Sequence, residues 1–103
     1  MNNIFDSIPE SIDKEIFDTI VKSENIRIER IISRGHASPE SGWYDQGQNE
    51  WVIVVKGGAV ISFEDDEPVK LDEGSYINIP AHKKHKVDWT DPDTETIWLA
   101  VFY

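Results

Sequence analysis

Two histidines, His82 and His85, stand three residues apart directly after a short alternating run that begins at Gly74 and ends at Pro80. They are two of the chain's three histidines. A neutral imidazole is a common metal ligand and the usual proton shuttle near neutral pH. The strand-like segment that starts at Glu50 could bring a carboxylate beside them. Imidazole and carboxylate side chains together predict metal binding or proton transfer at this place.

The charge and composition of the chain limit its partners. Twenty acidic and ten basic residues give a net charge of −10, which argues against nucleic acid and against anionic membrane surfaces. The chain has no cysteine, so disulfides, thiolate nucleophiles and cysteine-bound zinc are excluded. No signal peptide or apolar run long enough to span a membrane is visible. We therefore expect a cytoplasmic protein whose partner is a small molecule.

Short strands separated by glycine and proline turns must position these side chains. Residues 11–15 could form one helical turn capped by Ser11, followed by a strand over residues 16–21. The alternation in residues 25–34 breaks at Ile31 and Ile32, which predicts a β-bulge. Residues 50–55 form a strand, and the turn at 56–58 predicts a hairpin with residues 59–64. Further strands at 86–89 and 95–103 indicate an antiparallel sandwich or barrel.

The spacing of two segments resembles a known family. Gly74, Pro80 and His85 match the second conserved motif of the cupins, and Glu50 with Gly57 resembles the end of the first motif. The resemblance spans residues 34–103 and is closest to small, single-domain bacterial members of the cupin type-2 conserved barrel family. It implies an all-β, antiparallel double-stranded β-helix, the jelly-roll barrel of cupins. The predicted helical turn precedes this barrel in the chain. We therefore expect one domain over residues 1–103, with an N-terminal arm over about 1–14 and a barrel over about 15–103.

The resemblance also implies a divalent metal such as zinc, iron, manganese or nickel. Cupins bind it through two histidines and a glutamate of the first motif and a histidine of the second. Glu50 and His85 match two of these ligands. The histidine pair falls on Tyr44 and Gln46, or on Trp43 and Asp45, depending on the gap before Glu50. Gln46 or Asp45 could complete a set of three ligands, and His82, which replaces a motif glycine, is a candidate fourth. We therefore predict Glu50, His85 and Gln46 as metal ligands.

Strand alternation places some of these residues inside the barrel. Glu50 begins a strand whose alternate members are Val52 and Val54, so its carboxylate lies at the barrel mouth or in the interior. A buried carboxylate needs a metal, a histidine or a proton. His85 should share a face with Val87 and Trp89. The predicted pocket therefore combines the ligands with four neighbours: Tyr44, Asp45, His82 and Trp89.

Three functions remain open at this level. The first is a metal-binding cupin with a small oxygenated ligand, where the metal acts as a Lewis acid or template. The second is a binding or sensing module without metal or catalysis, and the third is a structural interaction protein. Neither catalysis nor a catalytic residue can be assigned, because fold does not determine function. A homodimer is expected, with residues 16–32 pairing against the partner's sheet.

Overall fold

The computed structural model describes residues 2–103, and in this range every regular element is a β-strand. All strand pairs are antiparallel, which confirms the predicted all-β class. The strands are β1 (Ile16–Lys22), β2 (Arg27–Ser33), β3 (Glu50–Lys56), β4 (Ala59–Phe63), β5 (Val69–Leu71), β6 (Tyr76–Ile79), β7 (His85–Thr90) and β8 (Thr96–Phe102). No helix within the described residues is long and apolar enough to cross a membrane.

Two sheets enclose one hydrophobic core. A five-stranded sheet has the order β1-β2-β8-β3-β6, and a three-stranded sheet has the order β5-β4-β7. Both sheets supply alternate apolar side chains to the core, including Val52 and Ala100 from the larger sheet and Ile61 and Leu71 from the smaller one. Because successive side chains of a strand point to opposite faces, every second residue of each strand can reach this core.

The turn after β3 is a corner between the sheets rather than a hairpin. The predicted hairpin between residues 50–55 and 59–64 is therefore wrong, because β3 pairs with β6 and β8 while β4 pairs with β5 and β7. Gly57 has φ +90°, and a Cβ atom there would lie 2.5 Å from Thr96 Oγ1. Thr96 Oγ1 also donates to the Gly58 carbonyl at 3.1 Å and fixes the corner. The chain therefore crosses from one sheet to the other at this glycine pair.

Two local predictions in the N-terminal third are also wrong. Residues 11–15 form no helical turn, since one turn without packing is unstable and the β-branched residues that follow pair with β2 instead. The expected bulge at Ile31 and Ile32 is absent, because β2 pairs with β8 in continuous register from Arg27 to Ser33. Both isoleucines are buried, one on each face of the strand. The register shift lies in β1 instead, between Thr19 and Val21.

A buried arginine holds the N-terminal arm against the larger sheet. Arg30 is only 5% exposed. Its guanidinium donates to the carbonyl oxygens of Ile4 and Asp6 and to the carboxylate of Asp18, the latter at 2.7 Å. A planar guanidinium can serve several acceptors at once, so one side chain connects the arm to β1 and β2.

Candidate functional site

A cavity of about 190 Å³ lies between the two sheets. Apolar side chains make up most of its lining, and five polar side chains point into the same space. The lining consists of Glu15, Phe17, Ile31, Tyr44, Gln46, Glu50, Ile61, Ile79, His85, Val87, Trp98 and Phe102. An apolar cavity with a few convergent polar groups is the usual form of a small-molecule site.

Glu50 is the first residue of β3 and faces the interior. It lies between β6 and β8, opposite Ile79 and Phe102, and its side chain is 13% exposed. The amide nitrogen of Gln46 donates to Glu50 Oε1 at 3.0 Å. This hydrogen bond partly compensates for burial of the carboxylate and fixes its direction toward the cavity.

His85 is the first residue of β7, and its imidazole is oriented by the backbone. Nδ1 lies 2.8 Å from the carbonyl oxygen of Lys83, which can only accept, so Nδ1 carries a proton. Nε2 is then directed toward Glu50 Oε1, at a distance of 3.6 Å. This separation exceeds a hydrogen bond, so a small movement or a bridging atom is needed to connect the two groups.

The protonation of His85 depends on Glu50. Burial lowers the pKa of His85, but the Glu50 carboxylate and the Lys83 carbonyl together raise it by more. The pKa of this imidazole therefore lies above its ordinary value of 6.5. A histidine whose pKa is raised by a neighbouring carboxylate can hold a proton and transfer it to or from a ligand.

The backbone of Tyr44 carries a short segment to the cavity wall. Tyr44 and His85 exchange two backbone hydrogen bonds, of 2.8 and 3.1 Å, in an isolated β-bridge. Their rings lie 5.9 Å apart, and the ring of Phe63 lies 6.4 Å from the imidazole. The bridge explains how Tyr44 and Gln46, two residues apart, both reach the cavity while Asp45 does not line it. Of the two registers left open by the sequence, this is the one that the structure adopts.

His82 and Asp45 lie together, outside the cavity lining. His82 Nδ1 is 2.8 Å from Asp45 Oδ1, and the His82 side chain is 71% exposed. The backbone of His82 has φ +66°, a left-handed conformation that favours the glycine expected at this motif position. Its N–H donates to the Gln46 carbonyl at 2.8 Å, so this turn supports the segment that carries Gln46.

Trp89 lies on the opposite face of β7 from His85 and Val87, contrary to the predicted shared face. The register with β4 shifts at Asp88, so that Val87 pairs with Ile61 while Trp89 pairs with Val60. An extra residue in one strand reverses the alternation beyond it. Trp89 is 41% exposed and does not line the cavity.

Two lining residues, Glu15 and Phe17, were not expected from the sequence. The hydroxyl of Ser33 donates to Glu15 Oε2 at 2.7 Å, and Ser33 in turn accepts from the indole N–H of Trp98 at 3.3 Å. These contacts join residues far apart in the chain. The available signal was an acidic residue directly before an alternating strand, which is too common to single out.

The donor set does not fit the four-ligand metal that the resemblance implies. No group of three His, Cys, Asp or Glu side chains within residues 2–103 is arranged to hold one ion. Glu50, His85 and Gln46 do lie together, but the nitrogen of the Gln46 amide, not its oxygen, is directed at Glu50. Whether these three residues bind a metal stays a prediction.

Comparison with known proteins adds the family context. The family model described as "Cupin domain" matches residues 31–102. A solved structure from Ralstonia eutropha JMP134, described as a candidate mannose-6-phosphate isomerase, is 44% identical and superposes with a TM-score of 0.95. The alignment covers 99% of this chain and 95% of that one. No curated protein is significantly similar in sequence to this chain.

Two more distant structures share the fold. A cupin superfamily protein from Desulfitobacterium hafniense DCB-2 is 19% identical, with a TM-score of 0.75 and coverage of 92% of this chain and 82% of that one. An RmlC-like cupin with a double-stranded β-helix fold from Methanocaldococcus jannaschii is 20% identical, with a TM-score of 0.71 and coverage of 92% and 84%. At these identities the likeness concerns the fold alone.

Proposed function

Since this chain belongs to the cupin domain family, we propose that it binds a small oxygenated organic ligand in the cavity beside Glu50 and His85. One observation supports this most strongly. His85 Nε2 and Glu50 Oε1 point into an otherwise largely apolar cavity, 3.6 Å apart, at a separation too long for a direct hydrogen bond. A hydroxyl group between them would accept a hydrogen bond from Nε2 of the His85 imidazolium and donate one to the Glu50 carboxylate.

The surrounding contacts keep both polar groups in place before any ligand arrives. Lys83 fixes the imidazole through Nδ1, and Gln46 fixes the carboxylate. Such preorganisation reduces the entropic cost of binding. Ile61, Val87 and Phe102 offer apolar surface to the body of the ligand.

The cavity volume limits the size of the ligand. A cavity of about 150 Å³ in another protein holds benzene, and drug-sized ligands occupy about 300–1,000 Å³. At about 190 Å³ the present cavity suits a molecule slightly larger than benzene. A larger ligand would have to extend through the mouth.

A proton-transfer reaction is a second candidate, favoured by the raised pKa of His85 beside a carboxylate. The name of the Ralstonia protein suggests an isomerisation, in which a base removes a proton from one carbon and an acid returns it to the next. Glu50 and His85 could take these roles toward a bound carbonyl compound. The same name suggests a sugar phosphate, but the described part of the lining offers neither lysine nor arginine to a phosphate group.

Metal binding is the remaining candidate, favoured by the separation of Nε2 and Oε1. Two ligands of one ion, each about 2.0–2.2 Å from it, lie at about this distance from each other. His85 and Glu50 would then hold the ion, and it would polarise an oxygen of the ligand as a Lewis acid. With only these two protein ligands of the usual four, binding would be weak.

A cavity-filling variant tests the proposal. Val87→Phe places a ring in the cavity, while Val60→Phe adds the same volume on the outer face of the neighbouring strand. We expect small diols or aldoses to raise the melting temperature of the wild type and of Val60→Phe but not of Val87→Phe. The protein is purified without an affinity tag, and its metal content is measured in parallel.

The outcomes separate the three candidate functions. If no small molecule shifts the melting temperature, ligand binding is refuted and a structural role remains. If a stoichiometric metal copurifies with the wild type and is lost in His85→Ala, the metal candidate replaces the metal-free one. If an aldose binds and is converted to its ketose, and Glu50→Gln binds it without converting it, the site is catalytic.

A further inference from the structure

The charges around the cavity are unusual for a site that binds an acidic metabolite. Within residues 2–103, its lining contains two carboxylates, Glu15 and Glu50, and one imidazole, and it contains no lysine or arginine. Phosphates and carboxylates are normally bound by arginine forks, lysines or helix N-termini. Residues 2–103 contain no helix that could supply such an N-terminus.

Two basic side chains lie over aromatic rings near the cavity, and each is also close to a carboxylate outside it. The Arg27 guanidinium lies 4.2 Å from the Phe102 ring and 3.0 Å from the Glu29 carboxylate. Lys83 Nζ lies 4.9 Å from the Phe63 ring and 3.4 Å from Asp66. The net charge of −10 also repels anions from the whole surface. Among residues 2–103, the lining therefore offers an anion only the His85 imidazole, which the Glu50 carboxylate already faces.

The second carboxylate forms a separate polar end of the cavity. Glu15 is held by Ser33, which pairs with Thr96 at the start of β8. Glu50 pairs with Phe102 at the other end of the same strand. The two carboxylates therefore approach the cavity from opposite ends of β8, with apolar side chains between them. A carboxylate has about four acceptor sites, more than Ser33 uses.

We propose that the cavity selects a small amino alcohol, with its ammonium group at Glu15, an apolar middle, and its hydroxyl group at Glu50 and His85. This inference rests on the proposed function and specifies the ligand class. The hydroxyl accepts a hydrogen bond from Nε2 of the His85 imidazolium and donates one to Glu50, and the ammonium group donates to Glu15. Diols bind in the same way without the charge, and hydroxy acids are rejected.

A matched series of ligands tests the charge selectivity. The probes are 5-aminopentan-1-ol, 1,5-pentanediol and 5-hydroxypentanoate, whose lengths are equal and whose end groups differ. We expect calorimetric affinity for the amino alcohol to exceed that for the diol by about tenfold, since a charged hydrogen bond exceeds a neutral one by about 1.4 kcal/mol. The hydroxy acid should bind at least about tenfold more weakly than the diol.

Glu15→Gln identifies the group responsible. The amide still accepts from Ser33, so the fold should be retained, which a melting curve of the variant checks. We expect this variant to bind the amino alcohol no more tightly than the diol, whereas Glu10→Gln, on the exposed arm, keeps the wild-type preference. The inference is overturned if the hydroxy acid binds as tightly as the diol or if the amine preference survives in Glu15→Gln. If the diol binds and the charge ranking fails, the proposed function stands; if none of the three probes binds, the inference is overturned, and the melting-temperature screen decides the proposed function.

Discussion

The coupling of Glu50 and His85 predicts a pH-dependent loss of stability in Glu50→Gln. The amide can still accept from Gln46, whose nitrogen lies 3.0 Å from Oε1 in the wild type, but it carries no charge to attract the His85 imidazolium. The two groups are 3.6 Å apart, so the interaction is an ion pair rather than a hydrogen bond, and measured ion pairs contribute up to about 1 kcal/mol. Because both side chains are largely buried and little screened, we expect a loss near that upper value, about 1 kcal/mol, or about 4–8 °C in Tm.

The sign of the pH dependence follows from the direction of the His85 shift. Its folded-state pKa lies above 6.5. The resulting stabilisation is fully present below pH 6.5 and is lost as the pH rises through the folded-state pKa. In Glu50→Gln, burial lowers the pKa of His85 and only the Lys83 carbonyl opposes it, so this contribution shrinks or reverses. The loss in free energy of unfolding caused by Glu50→Gln is therefore largest at the acidic end and falls as the pH rises through the folded-state pKa of His85.

Urea unfolding between about pH 5.5 and pH 8.5 measures this penalty. Glu73→Gln, an exposed change of the same type, is the matched control and should show no comparable trend. NMR titration of His85 in both proteins checks the cause, with a pKa that is lower in Glu50→Gln than in the wild type. A penalty that is constant with pH, or that grows toward alkaline pH, would refute the coupling.

Three other predictions concern the fold and the assembly. Gly57→Ala should lower the free energy of unfolding by at least about 3 kcal/mol, and Gly74→Ala by only about 1 kcal/mol. Both glycines have positive φ, but only a Cβ at Gly57 would clash, at 2.5 Å from Thr96 Oγ1. Equal melting temperatures of the two variants would contradict this. We propose that edge strand β1 forms the homodimer, so Val21→Glu should yield monomers by sedimentation and Tyr76→Glu, on the other edge, should not. A dimer unaffected by Val21→Glu, or a monomeric wild type, would disprove that interface. His82→Gly should be about 1 kcal/mol more stable than His82→Ala, since both lose the imidazole but only alanine keeps the left-handed strain; the reverse order would argue against strain.

The parts of the site that follow from local alternation could be predicted from the sequence. Glu50 faces inward because Val52 and Val54 follow it with period two in an unbroken strand. His85 shares the interior with Val87 for the same reason. The motif spacing placed both in one family fold, and that family is confirmed by the match over residues 31–102.

The rest depended on interactions between distant segments. The bulge at Asp88 moved Trp89 to the outer face, and nothing in the residues around it distinguishes a bulge from a regular strand. The glycine pair after β3 fits a hairpin as well as a corner, and the contact with Thr96 decides between them. Glu15 enters the cavity through Ser33, eighteen residues later in the chain.

A crystal structure of untagged protein soaked with 1,5-pentanediol, recorded with anomalous data at transition-metal absorption edges, tests the central claim most directly. The account predicts density for the diol inside the barrel, with one hydroxyl within hydrogen-bond distance of His85 Nε2 and Glu50, and no anomalous peak between them. An anomalous peak at that position would show that a metal, not an organic oxygen, connects the two residues. Diol density outside the barrel only, with the cavity holding water, would contradict the proposed ligand site.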